Sequence, residues 1–373
     1  MSNTFKALGI PENMIRGLEE LGIITPTQVQ AKVIPFLIKE GGDLVAQAQT
    51  GTGKTAAFGL PLLTKMDTRT REIQGLVIAP TRELAKQIGK QLFRFTKYTD
   101  KIFIEVLTGG DNIDRQEEAL RRPTHIVVGT PGRIIDLLKR RSLSLESVKH
   151  LVLDEADEML SMGFKKELME VLDRTPQRES TWLFSATFPE AINALVKGCM
   201  APSPHTIQID QGHVVNRDID HRFILCKPEG KLPFITEFLK AQKAGRGLIF
   251  CRTKADAIKL GKELTDQGLP VEVLQGDLMQ KERDKVMRAF KKSRVQFVVA
   301  TDVAARGIDV ADLSFVIHHQ LPDQLEYYTH RSGRTARAGK KGMSLALVHP
   351  KEKWKLPQLE NALRVTFKEY RAH

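Results

Sequence analysis

Cysteine is scarce: Cys199, Cys226 and Cys251 are the only three in 373 residues, and no two of them form a C-x-x-C pair. Such spacing excludes a disulfide framework and a cysteine-rich structural zinc site, and it fits a reducing compartment, so a cytoplasmic location is expected. Long apolar runs are missing too. None approaches the ~18 residues that a membrane span needs, so no membrane partner is expected. Residues 1–6 lack a basic stretch followed by an apolar one, and no secretory signal is expected either. Aromatic residues make up only 6% of the chain, which leaves little material for stacking platforms of the kind that read unpaired bases. What is plentiful is positive charge: 57 Lys and Arg stand against 45 Asp and Glu, a formal net charge of +12. An excess of that size favours a polyanionic partner, although charge alone leaves nucleic acid as one option among several. With 41% hydrophobic residues, the chain has enough apolar material for two cores, and its length fits about two domains.

A repeating pattern runs through the sequence, in which a short β-branched run stops at polar residues and a helix-like stretch follows. In the first half the runs are Leu44-Val45-Ala46, Leu76-Val77-Ile78-Ala79, Ile126-Val127-Val128-Gly129, Leu151-Val152-Leu153 and Trp182-Leu183-Phe184. In the second half they begin at Leu248, Val271, Phe297, Phe315 and Leu345. Near-continuous apolar runs mark strands covered on both faces, and amphipathic segments such as 82–95 and 254–267 supply the covering helices. The pattern predicts α/β units with parallel sheets. It breaks at Ala201-Pro202-Ser203-Pro204-His205 and resumes after about Asp210, which predicts two domains joined near 202–215. In parallel sheets, ligands bind beyond the carboxyl ends of the strands, where most of the polar clusters below are found.

The segment Ala48-Gln49-Thr50-Gly51-Thr52-Gly53-Lys54-Thr55 follows one of these runs and precedes a helical stretch. Its glycines let successive backbone N–H groups face a phosphate at a helix N-terminus. Lys54 is placed to reach the β and γ phosphates of a nucleotide, and Thr55 to help hold Mg²⁺. Ala48 stands where the strict pattern has glycine. The same string could be a Gly-rich helix cap, but the strand before it and the Lys-Thr in register favour the phosphate loop. Asp154-Glu155-Ala156-Asp157 closes the run that ends at Leu153. A carboxylate there suits Mg²⁺, commonly through water, and the adjacent Glu suits activation of an attacking water.

With these two elements in place the sequence resembles the DEAD-box RNA helicases, and the motifs run in order from Phe5 to about Gly342. They are residues 22–30, the phosphate loop, residues 80–85, Gly109-Gly110, Thr130-Pro131-Gly132-Arg133, the acidic tetrad and Ser185-Ala186-Thr187. Residues 250–253, 280–283, 301–309 and 330–337 follow. Ser332 and Ala336 replace the more usual Ile and Gly of the last motif, while His330, Arg331, Arg334 and Arg337 are kept. The resemblance implies two RecA-like P-loop NTPase domains: an ATP-binding domain over 1–205, a linker over 206–215 and a C-terminal domain over 216–373. It implies that Gln30 selects adenine, with Phe5 against the ring, and that Asp309 contacts the ribose. Catalysis would fall to Lys54, Asp154 and Glu155, with Arg334 and Arg337 as arginine fingers. Asp157, Ser185, Thr187 and His330 would couple ATP to RNA.

The resemblance implies RNA backbone contacts at Arg82, Gly109, Gly110, Thr130 and Arg133 in the first domain. In the second they are Arg252, Thr253, Gln280, Arg283, Thr301 and Arg306. Hydroxyls, backbone amides and guanidiniums suit phosphate and sugar contacts, which position a strand without reading its sequence. The expected activity is ATP-driven clamping of RNA and local unwinding of short duplexes. A DNA-directed translocase and a non-catalytic RNA clamp or scaffold are the competing readings. Protein or ribosomal partners are possible on the same analogy, with bacterial ribosome assembly and cold adaptation as the nearest family roles.

Overall fold

A computed structural model describes residues 4–49, 51–209, 218–242, 245–305, 313–323, 325–336 and 340–371. The chain divides into two compact units, Met1–Ile209 and Asp210–His373.

The first unit carries strands β1 (Leu44–Gln47), β2 (Gly75–Ile78), β3 (Ile104–Leu107), β4 (Ile126–Gly129), β5 (His150–Asp154), β6 (Ser180–Ser185) and β7 (His205–Gln208). They form one parallel sheet in the order β3-β4-β2-β5-β6-β1-β7. β2, β4, β5 and β6 are buried at every position. Helices cover the sheet on both faces, so its two sides line separate apolar clusters. One centres on Phe58, Trp182 and Phe184, and the other on Leu151, Leu153 and Leu183. Burying several large side chains at ~1.5–3 kcal/mol each offsets the cost of ordering the chain. The helix Arg82–Phe95 starts where Thr81 Oγ1 accepts the Leu84 N–H, and it buries Ile88, Leu92 and Phe95. Thr206–Gln208 belong to β7, paired with β1, so the sheet takes up the start of the stretch expected as linker; residues 210–215 of it lie outside the described residues.

The second unit carries β8 (Ile219–Leu225), β9 (Gly247–Cys251), β10 (Val271–Leu274), β11 (Phe297–Thr301), β12 (Phe315–His318), β13 (Gly342–Val348) and β14 (Lys368–Glu369). Their order is β10-β11-β9-β12-β13-β8-β14, again with every pairing parallel. Strand for strand, this is the winding of the first unit. The correspondence puts β9, β10 and β11 where β2, β3 and β4 lie, and β12 where β5 lies. Phe297, Phe315 and Phe238 pack on one face of the sheet, and Phe250 and Phe290 on the other. Among the described residues no helix is long and apolar enough to cross a membrane.

Candidate functional site

The loop after β1 is held from below and from the side. Ala48 donates its N–H to the Ser185 carbonyl at 3.0 Å, prolonging the β1–β6 ladder, and its φ is negative, so the alanine costs the turn nothing. Gly51 and Gly53 have φ of +83° and +93°, the left-handed region where a Cβ is penalised. The Thr52 hydroxyl donates to the Gln49 carbonyl at 2.8 Å and tightens the turn. Thr50 lies outside the described residues. The helix Lys54–Thr64 starts directly from this loop, with Thr55 half-buried in its first turn.

Lys54 is 6% exposed, and its Nζ has no hydrogen-bond partner among the described residues. Among the described residues it pairs with Asp154, 3.8 Å from Nζ to Oδ1. Asp154 ends β5, and burial pushes its carboxyl up to about 6 against the opposing pull of Lys54; Glu155 adds to the rise. Asp154 Oδ1 also accepts the Glu155 N–H at 3.0 Å, but the buried ammonium is under-satisfied, because it has lost water without a hydrogen bond in return. The pair is built to receive a further anion beside the lysine and a further cation beside the aspartate.

Glu155 sits in the left-handed region with φ +53°, an uncommon place for a residue with a side chain. The backbone turns there from β5 into the helix Ala156–Ser161, leaving Glu155 half-buried at the strand end while Asp157 is buried. Asp157 Oδ2 accepts both the N–H (2.9 Å) and the hydroxyl (2.8 Å) of Thr187. Ser185 donates from Oγ to the Thr187 carbonyl at 2.7 Å. The acidic turn and the turn after β6 are thereby one hydrogen-bonded unit.

Gln30 is 3% exposed, and both ends of its amide are engaged: Oε1 accepts the Thr27 N–H at 2.9 Å, and Nε2 donates to the Gly53 carbonyl at 3.1 Å. It caps the helix Gln28–Pro35 and ties that helix to the phosphate loop. Sequence reasoning missed this tie; the signal available was Thr27 three residues before Gln30, a capping-box spacing. Phe5 is 3% exposed and lies in the apolar cluster of the first unit, so its ring is already covered by protein.

The other expected residues of the first unit gather beyond β2, β3 and β4, three neighbouring strands. The Arg82 guanidinium lies against Gly109, where an added Cβ would come within 3.2 Å of Nη2. Gly110 has φ +80°. Thr130 is buried at the N-cap of the helix Pro131–Lys139. Arg133 donates to Gln116 Oε1 at 2.7 Å and to the Asp111 carbonyl at 3.2 Å. Asp111 also pairs with Lys86 at 2.9 Å, a brace that no sequence pattern announced.

In the second unit the expected residues fall beyond β9, β10 and β11, the counterparts of those same three strands. Arg252 reaches Asp323 Oδ1 at 3.0 Å and the Leu321 carbonyl at 3.2 Å. Thr253 caps the helix Lys254–Asp266. Gln280 opens the helix Gln280–Lys291 and donates to Asp284 at 2.9 Å; Arg283 donates to the Ala304 carbonyl at 2.7 Å. Thr301 ends β11 and is buried.

The last motif follows β12, the counterpart of the strand that carries the acidic tetrad. His330 is half-buried and Arg334 is buried. Arg331 makes a two-pronged ion pair with Asp302, Nε–Oδ1 2.5 Å and Nη2–Oδ2 2.7 Å, and also donates to the Gln320 carbonyl. Ser332, a departure from the usual pattern, is fully buried and bonds Ser344 Oγ at 2.9 Å. The serine therefore has polar partners where an isoleucine would have none. Arg306, Asp309 and Arg337 lie outside the described residues.

Family models match both units: DEAD/DEAH box helicase over residues 27–195, and helicase conserved C-terminal domain over residues 230–339. Among curated relatives, the DEAD-box ATP-dependent RNA helicase CshA of Bacillus cereus is 41% identical over 97% of this chain and 68% of its own. The ATP-dependent RNA helicase CshA of Listeria monocytogenes is 41% identical over 93% and 66%. Among solved structures, Saccharomyces cerevisiae Dbp5 bound to RNA and ADP BeF3 aligns with a TM-score of 0.91 at 31% identity, covering 99% of this chain and 96% of that one. Mss116p bound to ssRNA and AMP-PNP gives 0.87 at 28% identity, over 99% and 78%. With the acidic tetrad, the phosphate loop and two equally wound RecA-like sheets in place, the chain belongs to the DEAD-box ATP-dependent RNA helicases.

Proposed function

We propose that this helicase binds ATP on the loop after β1, hydrolyses it with Glu155 as the base, and uses the turnover to clamp and locally unwind RNA without reading its sequence. The observation that carries the reading is Lys54: a buried ammonium with no hydrogen-bond partner among the described residues, held 3.8 Å from the buried Asp154 carboxylate at the end of β5. A triphosphate supplies the missing acceptors. Gln49, Thr50, Gly51, Thr52, Gly53 and Lys54 cradle it, and Gln30 keeps unused amide valence for the base. Phe5 anchors the N-terminal turn through the apolar cluster that also holds the start of that site.

Mg²⁺ fits the donor set, with the Thr55 hydroxyl and Asp154 as its protein partners. Among the described residues no group of three or more His, Cys, Asp or Glu could hold a metal by itself. Mg²⁺ in nucleotide sites commonly takes one or two protein ligands and completes its shell with phosphates and water. Bound there, it would neutralise phosphate charge and favour the ionised form of Asp154. Glu155 orients and deprotonates the attacking water. Arg334 and Arg337 of the second unit offer guanidiniums for the charge that develops on the transferred phosphoryl group, a contribution worth roughly 10³–10⁵ in rate for arginine fingers.

Asp157, Ser185 and Thr187 carry the nucleotide state toward the RNA contacts, with His330 as their partner in the second unit. RNA is held at Arg82, Gly109, Gly110, Thr130 and Arg133, and at Arg252, Thr253, Gln280, Arg283, Thr301 and Arg306. Their equivalent strand positions in the two sheets support a pair of half-sites for one backbone. The Dbp5 and Mss116p structures named above hold RNA and a nucleotide analogue, which supports the same ligands here. Glu155→Gln is expected to abolish RNA-stimulated ATP hydrolysis while retaining nucleotide binding. Normal turnover in that variant would remove Glu155 from the role of base.

A further inference from the structure

The positive charge of the chain is unevenly placed. Residues 210–373 hold 30 Lys and Arg against 20 Asp and Glu, whereas residues 1–209 hold 27 against 25. Almost the whole net charge therefore belongs to the second unit, and one strongly basic segment of it is 281–294, with seven basic residues and two acidic ones.

Most of that segment is the helix Gln280–Lys291. Val286, Met287 and Phe290 are buried and pack on Leu274 and Val298. On the solvent side stand Lys281, Lys285, Arg288 and Lys292, all exposed and spaced four, three and four residues apart. That spacing lines them up along one face, over about 16 Å at 1.5 Å per residue. None of the four makes an ion pair among the described residues, while Lys254 and Lys355 of the same unit pair with Asp277 and Glu352. Cations near a helix C-terminus are favoured by the macrodipole, which accounts for Arg288 and Lys292. The same dipole disfavours Lys281 in the first turn, and like charges one turn apart repel by a few tenths of a kcal/mol. With Lys281 set against the dipole and the whole row set against its own repulsion, the four cations call for an anionic partner longer than one group.

The helix begins at Gln280, beyond the carboxyl end of β10, and runs back toward Phe297 at the start of β11. Its first turn carries Gln280 and Arg283, already assigned to RNA, so the row continues from those contacts down the flank of the sheet.

We propose that Lys281, Lys285, Arg288 and Lys292 form an auxiliary track for RNA phosphates, which holds the strand that leaves the motif contacts. The track rests on the RNA-helicase reading and extends it: from Lys281 within the 280–283 motif, Lys285, Arg288 and Lys292 carry the neutralisation of backbone charge beyond the motifs and add affinity without sequence preference.

The test is the salt dependence of RNA binding by the full chain with the triple variant K285Q/R288Q/K292Q, which leaves Lys281 and the first turn untouched. Each phosphate neutralised on a single strand contributes about 0.7 to the slope of log K against log salt. The variant should make this negative slope shallower by about 2 on a long polyuridine strand and leave it unchanged on an oligouridine too short to pass the motif contacts. K259Q/K262Q, on the neighbouring helix Lys254–Asp266, should leave both slopes at the wild-type value. An unchanged slope on the long strand overturns the track, as does an equal change on both lengths or an equal change with the control variant. Wild-type protein with no salt-dependent RNA binding at all would instead sink the RNA-helicase reading, and the track with it.

Discussion

Gly53→Ala tests the tie between Gln30 and the phosphate loop. Gly53 has φ +93°, and an added Cβ would stand 2.5 Å from Gln30 Nε2 and 3.2 Å from Thr27 Oγ1. Two costs follow. Holding alanine in the left-handed region costs about 1–2 kcal/mol. Pushing Gln30 aside forfeits its hydrogen bonds to Thr27 and Gly53, at about 0.5–1.5 kcal/mol each. The total of about 2–5 kcal/mol falls on the loop geometry that nucleotide binding requires, and even its lower limit is roughly a 30-fold loss of affinity. The comparison with Gln30→Ala makes the reasoning specific. That variant also loses both hydrogen bonds, but it removes the atom the new Cβ would strike. In the double variant the hydrogen-bond loss is counted once and the clash disappears. The two single losses should therefore exceed the double loss by about 1–3 kcal/mol, the coupling expected of residues in contact. Titration with a fluorescent ATP analogue measures the cycle, and emission from buried Trp182 monitors the fold of the first unit. Additive losses, or wild-type affinity in Gly53→Ala with that emission unchanged, would refute the tie.

Arg331→Met leaves the partly buried Asp302 carboxylate without its two-pronged partner and should destabilise the second unit by about 3 kcal/mol. Hydrogen exchange should report the loss there and not in residues 4–209, with part of it recovered in R331M/D302N; a loss near zero would show the pair to be decorative. Acid should act on the second unit first. Burial pushes His221 and His319 down to about 4 and His318 well below its ordinary value, and in the first unit it holds His150 at about 4. These groups fold neutral, so their contribution is whole above pH 6.5 and is lost as pH falls from there to about 4, at roughly 1.4 kcal/mol per pH unit for each histidine. Urea midpoints followed by hydrogen exchange between pH 7 and about 4.5 should fall faster for residues 218–371; an equal or smaller fall would contradict the assignment.

Most of the runs that sequence pattern marked as strands, such as Ile126–Gly129 and Phe297–Ala300, are buried on both faces, because an unbroken apolar run has no other use in a parallel sheet; β10, an edge strand with only Leu274 buried, was marked by its valines all the same. β3, β7 and β14 escaped notice because they lie at sheet edges with half-exposed or exposed residues, and β8 because only its first and third positions are buried. Their pairing is set by neighbours distant in the chain and not by their own composition. The phosphate loop and the acidic tetrad were legible because their chemistry is local: backbone amides, a lysine and carboxylates at fixed spacing. Tertiary structure alone decided that Gln30 braces Gly53, that Asp157 holds Thr187 across 30 residues of sequence, and that Arg331 is committed to Asp302. The first ties a helix to the loop after β1, the other two join segments that meet only when the sheet brings the carboxyl ends of its strands together, and no periodicity along a chain encodes which segments the fold makes neighbours.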